Sequence, residues 1–153
     1  LHIILFNNKI LKEDNKMAKM VIGLFSGSID RLTAAGIVSS GAAALDMDIE
    51  IYVLLMGARV FKKGNEESSD ELSETPHLKN QFFAGLDKNK VKKWYEFFND
   101  VKGLTNVKIL VCGLAGKIWG GEKIDDFIDM VDDICGVGEY VDAATNADLH
   151  LFI

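Results

Sequence analysis

The chain has 153 residues, 48% apolar and 26% charged, the profile of a single globular domain with enough apolar side chains for one core. Its formal charge is −6 and its lysines cluster only in short runs such as Lys62-Lys63 and Lys92-Lys93. That disfavours a nucleic-acid partner, because neutralising phosphates takes a concentrated basic surface. Two cysteines make no disulfide framework and no cleavable signal pattern is visible, so a reducing, cytoplasmic location is the default expectation.

Residues 1–16, LHIILFNNKILKEDNK, precede Met17, and strong folding signals begin only after it. Lys12-Glu13-Asp14 can be encoded by AAGGAGGAT, which contains a ribosome-binding consensus upstream of a Met17 codon. One expectation is therefore a non-native or disordered leader; the other is a native arm or an extra strand over 3–6. Residues 17–153 read as one domain.

The stretch 19–25, KMVIGLF, is a strand ended by Ser26-Gly27-Ser28. A helix is expected over 29–46, with Ile29, Leu32, Gly36, Ile37 and Ala44 sharing a face, Ser28 as N-cap and Asp30 in the first turn. Its small residues suggest a helix lying close against a sheet. The stretch 48–56, DIEIYVLLM, reads as a central parallel strand. The apolar region 32–61 is no membrane span, because Asp46, Asp48 and Glu50 interrupt it where charge is costly in lipid.

A short helix is expected over 58–63, and the acidic, serine-rich 64–76 reads as a mobile surface loop. Asp87 is placed to cap a helix over 88–102 with Val91, Trp94, Tyr95, Phe98 and Val101 on one face. A strand over 106–112 follows. Ile124, Phe127, Ile128, Val131 and Ile134 mark an amphipathic helix. The remainder reads as a short strand over 138–141, a helical turn over 143–147 and a final strand over 148–153. Five strands alternating with helices imply an α/β fold with a mainly parallel sheet covered on both faces.

In such sheets, ligands and reactive groups gather at the carboxyl ends of the strands, and Cys112 ends the apolar run VKILVC. Glycines at 113, 116, 120 and 121 let backbone amides approach a bound group, since no Cβ obstructs them. A helix starting after Cys112 would aim its first amides at the sulfur and favour thiolate, and Lys117 would add positive charge. The chemistry this points to is sulfur-centred: attack on a sulfane donor, then delivery to an acceptor thiol. Inert packing of a buried cysteine is the competing reading.

Trp119 either walls the cysteine pocket or packs in the core. Cys135, in DDICGVG, resolves a persulfide, pairs with Cys112 or packs passively; spacing leaves these open. No CxxC occurs and His2, His77 and His150 are scattered, so neither a metal nor a cofactor is expected. His77 is a solvated or lid residue and His150 an edge or packed one.

Three segments resemble the DsrE/DsrF-like family of small sulfur-relay proteins. MVIGLFSGSIDRLTAAGIVSSGAAALDMDIEIYVLL is similar to the family's opening strand, its Ser-Gly-x-x-Asp turn at Ser26, Gly27 and Asp30, and its alanine-rich helix. In VKILVCGLAGKIWGGEKIDDF, Cys112 falls on the family's active-site cysteine, and NADLHLFI is similar to its terminal pattern. The resemblance spans nearly everything from Met20 to Ile153. It implies a three-layer α/β/α sandwich, a homo-oligomer (dimer, trimer or hexamer), and transfer of sulfane sulfur or thiosulfonate groups, with TusA-like carriers and rhodanese-like sulfurtransferases as partners. Where close relatives carry a Met-Ser-Met-Asp-like stretch after the cysteine, this chain has Leu114-Ala115-Gly116-Lys117, a more positive local field. Two other functions fit the same residues. One is a small-molecule or nucleotide-binding module without covalent chemistry, using Ser26, Gly27 and Ser28 as anion contacts. The other is a structural subunit.

Overall fold

Side chains alternate between the two faces of a strand, so each strand here feeds two cores. The computed structural model describes residues 17–153; the leader and the strand expected over 3–6 lie outside the described residues. Five strands, β1 (Lys19–Leu24), β2 (Asp48–Val53), β3 (Val107–Cys112), β4 (Asp133–Cys135) and β5 (Leu149–Phe152), form one sheet in the order β4-β3-β2-β1-β5. Every neighbouring pair is parallel. Among the described residues there are six α-helices: α1 (Ile29–Ala44), α2 (Leu55–Phe61), α3 (Lys79–Lys88), α4 (Trp94–Lys102), α5 (Gly113–Ile118) and α6 (Val137–Thr145).

Met20, Ile22, Leu24, Ile49, Ile51, Val53, Ile109 and Val111 face one side, where Leu32 and Ala35 of α1 and Trp94, Phe98 and Val101 of α4 cover them. Phe61 closes that core against Trp94, with ring centroids 4.9 Å apart in the tilted arrangement aromatic pairs favour. The opposite face, with Val21, Tyr52, Leu110 and Cys135, is covered by Ala143 and Tyr140 of α6. The result is a three-layer α/β/α sandwich. The chain steps outward from β1 to β4, then returns through α6 to place β5 beyond β1.

Several expected elements form differently. The buried stripe of α1 runs through Ile29, Leu32, Ala35, Gly36, Ser39, Ala42 and Ala43, which turns Ile37, at 52% exposure, and Ala44 to the outside. Its closest approach is to α4, since a Cβ on Gly36 would lie 2.7 Å from Phe97 Cβ. Ser28 holds the N-cap position without donating or accepting a side-chain cap bond; its hydroxyl pairs with that of Ser26 at 2.8 Å instead. The second strand stops at Val53, and α2 already begins at Leu55. There the Leu54 N–H makes the last rung of the β1–β2 ladder, to Leu24 O at 2.8 Å, and the helical turn beyond it is held by the Gly57 N–H, which donates to Phe25 O at 3.0 Å.

Of the helix expected over 88–102 only Trp94–Lys102 forms as α4; Asp87 and Lys88 instead end the preceding helix α3, which the sequence does not predict. Lys90 adopts a φ of 52° between the two helices, and α4 is started by the Glu96 carboxylate, which accepts the Lys93 N–H at 2.7 Å. The amphipathic helix expected over 124–134 does not form, although its apolar residues Phe127, Ile128 and Val131 are indeed buried. Backbone groups that a helix would use find partners elsewhere. The Ile128 N–H donates to Phe61 O at 2.9 Å, and the Asp132 N–H to Ile109 O at 2.8 Å. The fourth strand is therefore Asp133–Cys135, and the strand expected over 138–141 lies within α6. The acidic stretch 64–75 is tied down: the Ser69 hydroxyl donates to Gly27 O, and the Ile29 N–H donates to Glu71 O at 3.0 Å.

Candidate functional site

β3 is buried through Ile109, Leu110 and Val111 and reaches the sheet's carboxyl edge at Cys112. α5 starts at the next residue, so Cys112 is its N-cap, with no side-chain cap bond from the thiol. Gly113 passes close to β4: a Cβ there would lie 3.4 Å from Ile134 Cγ2 and 3.7 Å from Cys135 O.

Cys112 is half-buried and opens into a cavity of about 430 Å³. Gly113, Lys117 and Gly121 share this cavity, as the sequence predicts, and so does Glu122, which no motif marks. The mouth thus carries one charge of each sign rather than a purely positive field. Leu114, Ile134 and Val137 supply apolar wall. Leu114 and Val137 are 69% and 59% exposed, so the cavity that holds the sulfur has an exposed apolar rim.

The last wall is Cys135. Parallel pairing of β3 with β4 sets Leu110 beside Asp133, Val111 beside Ile134 and Cys112 beside Cys135. Neighbouring parallel strands lie about 4.8 Å apart, and laterally paired residues direct their side chains to the same face. Cys135 is buried. Burial first, then the Glu139 carboxylate, the neighbouring Cys112 and the Asp133 carboxylate, push its thiol up to about 11.

The other expected site residues lie apart from this cavity. Gly116 is buried under Phe127, where a Cβ would lie 2.7 Å from Gly121 O, so it holds α5 down. Trp119 donates its indole N–H to Leu55 O at 2.9 Å, and its own carbonyl accepts from Lys62 Nζ at 3.0 Å, bracing α5 against α2. Leu55 has a φ of 33°, a left-handed conformation that a branched side chain seldom adopts. Ser26 and Gly27 follow β1, two strands away from β3. The Ser26 hydroxyl accepts the Ser28 N–H at 3.2 Å, and a Cβ on Gly27 would lie 2.6 Å from Met56 O.

His77 lies in the exposed 3-10 turn Pro76–Leu78. His150 is exposed on edge strand β5, its Nε2 2.8 Å from the Tyr140 hydroxyl. A larger cavity of about 890 Å³, bordered by Arg31, Phe82, Asn89 and Ile153, lies at the other end of the carboxyl edge. That position is where strand order reverses between β1 and β5. Among the described residues no cluster of three or more His, Cys, Asp or Glu is placed to hold a metal ion, and no helix is long and apolar enough to cross a membrane. No protein-family model matches the chain, and no curated protein matches it.

Proposed function

We propose that this protein is a cytoplasmic sulfur-relay protein in which Cys112 takes a sulfane sulfur or thiosulfonate group from a donor and passes it to the thiol of a carrier protein. The observation that carries the reading is the position of Cys112: the last residue of an inner parallel strand, half-buried, open to a cavity of about 430 Å³. The step balances without an outside oxidant. The Cys112 thiolate attacks tetrathionate, an S–S bond forms at Cys112, one in the donor breaks, and thiosulfate leaves with the electron pair. The acceptor thiolate then takes the outer sulfur group by attack on it, and Cys112 leaves as thiolate. Lys117 stands at the mouth where the anionic donor approaches. The exposed apolar rim of Leu114 and Val137 supports a protein acceptor, in keeping with the TusA-like or rhodanese-like partners and the homo-oligomer that the family resemblance implies.

Intact-mass measurement after brief exposure to tetrathionate or polysulfide tests the proposal. A mass gain located on Cys112 and absent from Cys112→Ser is expected; no gain with either donor defeats the proposal. A second reading, a non-covalent small-molecule site, is favoured by the 890 Å³ cavity at the β1/β5 reversal, the position where doubly wound sheets bind ligands. A purified protein carrying a flavin or nucleotide spectrum that Arg31→Ala removes would establish it instead.

A further inference from the structure

The two cysteines end neighbouring parallel strands in register and line the same cavity. They differ in access: Cys112 is half-buried, whereas Cys135 is 7% exposed. An incoming reagent therefore meets Cys112 first and finds Cys135 behind it.

We infer that Cys135 is the resolving thiol of Cys112: once Cys112 carries a sulfur substituent, Cys135 attacks the Cys112 sulfur, closes a Cys112–Cys135 disulfide and expels the substituent. With a persulfide the leaving group is hydrosulfide; with a thiosulfonate it is thiosulfate; with a mixed disulfide it is the free thiol. In each case one S–S bond forms as one breaks, and the Cys135 proton passes to solvent or to the leaving group. Cys112 keeps its oxidation level, while the Cys135 sulfur is oxidised by one electron and the departing sulfur is reduced by one. A cellular dithiol reopens the disulfide by two further exchanges. For persulfide and thiosulfonate the inference rests on the relay reading above; for mixed disulfides it does not.

The backbone permits the closure. A Cα separation of about 4.8 Å between paired strands lies within the range disulfides span. The side chains must lean together by about 1 Å, since paired Cβ atoms start near the strand spacing and a disulfide holds them about 3.8 Å apart. β4 is a three-residue strand at the end of the sheet, with no strand on its outer side among the described residues. Glycine follows each cysteine, and a Cβ on Gly136 would meet nothing within 4 Å, so the end of β4 has room to move.

The raised thiol of Cys135 slows the closure without preventing it. Against an ordinary thiol it forfeits about two powers of ten in thiolate at neutral pH, and the Brønsted slope returns about one. Effective molarities of well-oriented intramolecular pairs reach about 10⁵ M or more, which outweighs the remaining tenfold against millimolar competing thiols. The same protonation leaves Cys135 a poor target for reagents in solution. In the relay, the pair discharges a loaded Cys112 when no acceptor is docked.

The test uses the whole chain and the aromatic disulfide dithiobis(nitrobenzoate). Wild-type protein is expected to release two equivalents of thionitrobenzoate and finish unlabelled, with a Cys112–Cys135 peptide linkage. Cys135→Ser and Cys135→Ala should each release one equivalent and keep one label on Cys112. Wild-type protein that retains its label as long as these variants do, or that is labelled at both cysteines, overturns the inference. Tetrathionate separates this failure from that of the relay. No adduct on Cys112 in Cys135→Ser defeats the relay and leaves the exchange result standing. An adduct equally long-lived in wild type and in Cys135→Ser defeats the resolving role and leaves the relay standing.

Discussion

Asp30, in the first turn of α1, accepts the backbone N–H of Ser73 at 2.9 Å and the Ser73 hydroxyl at 2.5 Å. This clamp, with the Ser69 and Glu71 contacts, fastens the acidic stretch 64–75 over the start of the helix. Burial pushes the Asp30 carboxyl up, but hydrogen bonds from Ser73, Ser28 and Arg31 outweigh it and hold the carboxyl below its usual range. The clamp therefore contributes stability at neutral pH that is lost as acid protonates Asp30, below about pH 4. Asp30→Ala is expected to cost about 1 kcal/mol and to speed proteolytic nicking within 64–75 several-fold, read by limited proteolysis at pH 7. Unchanged nicking would show that the clamp does not govern the order of this stretch.

Two glycines separate close approach from mere chain flexibility. A Cβ on Gly27 would lie 2.6 Å from the Met56 carbonyl oxygen, a backbone atom held by α2, whereas Gly41 in the interior of α1 has nothing within 4 Å. Gly27→Ala should destabilise by about 1–3 kcal/mol through overpacking. Gly41→Ala should stabilise by about 0.5–1 kcal/mol, because it lowers unfolded-chain entropy in a helix. Urea denaturation of the two variants checks both signs.

Leu32 and Ile37 lie on one helix but meet different surroundings. Leu32 is fully buried and Ile37 is 52% exposed. Leu32→Ala is expected to cost about 2–5 kcal/mol from lost transfer energy and a residual cavity; Ile37→Ala should stay within about 0.5 kcal/mol. Equal losses would place Ile37 in a buried interface between chains, and a concentration-dependent Tm would identify it as such.

Alkaline pH should unfold this protein through two buried groups. The Tyr52 hydroxyl is pushed well above its usual range, first by burial and then by its 3.0 Å bond to the Glu50 carboxylate. The Cys135 thiol is pushed up to about 11. Each keeps its proton longer in the folded chain than in the unfolded one, so stability is full below about pH 8 and falls as the unfolded chain releases protons. For Cys135 the loss is about 2 kcal/mol by pH 11. Tyr52→Phe should flatten the fall, as measured by urea midpoints between pH 8 and pH 11.

Periodicity identified β1, the extent of α1, β3 and β5, because each lies where a local pattern and its tertiary surroundings agree. It also placed Cys112 at a carboxyl edge beside Gly113 and Lys117, and an apolar run ending in cysteine and glycine was signal enough. It misassigned 124–134, where apolar residues at helical spacing are buried by an extended path. That error displaced β4, and with it the partner of Cys112. Had DDIC read as a strand, the carboxyl-edge rule would have brought Cys135 to the same site.

Alternation of apolar strands with helical segments was enough by itself to determine an α/β domain and the place of Cys112 at its sheet edge, since both follow from contacts near in the chain. Tertiary structure alone decided which thiol lies beside Cys112, that Glu122 shares its cavity, and that Gly116 and Trp119 brace α5 instead of lining the site. Strand order and register are set by which backbone groups find partners far along the chain, and no local pattern carries that information.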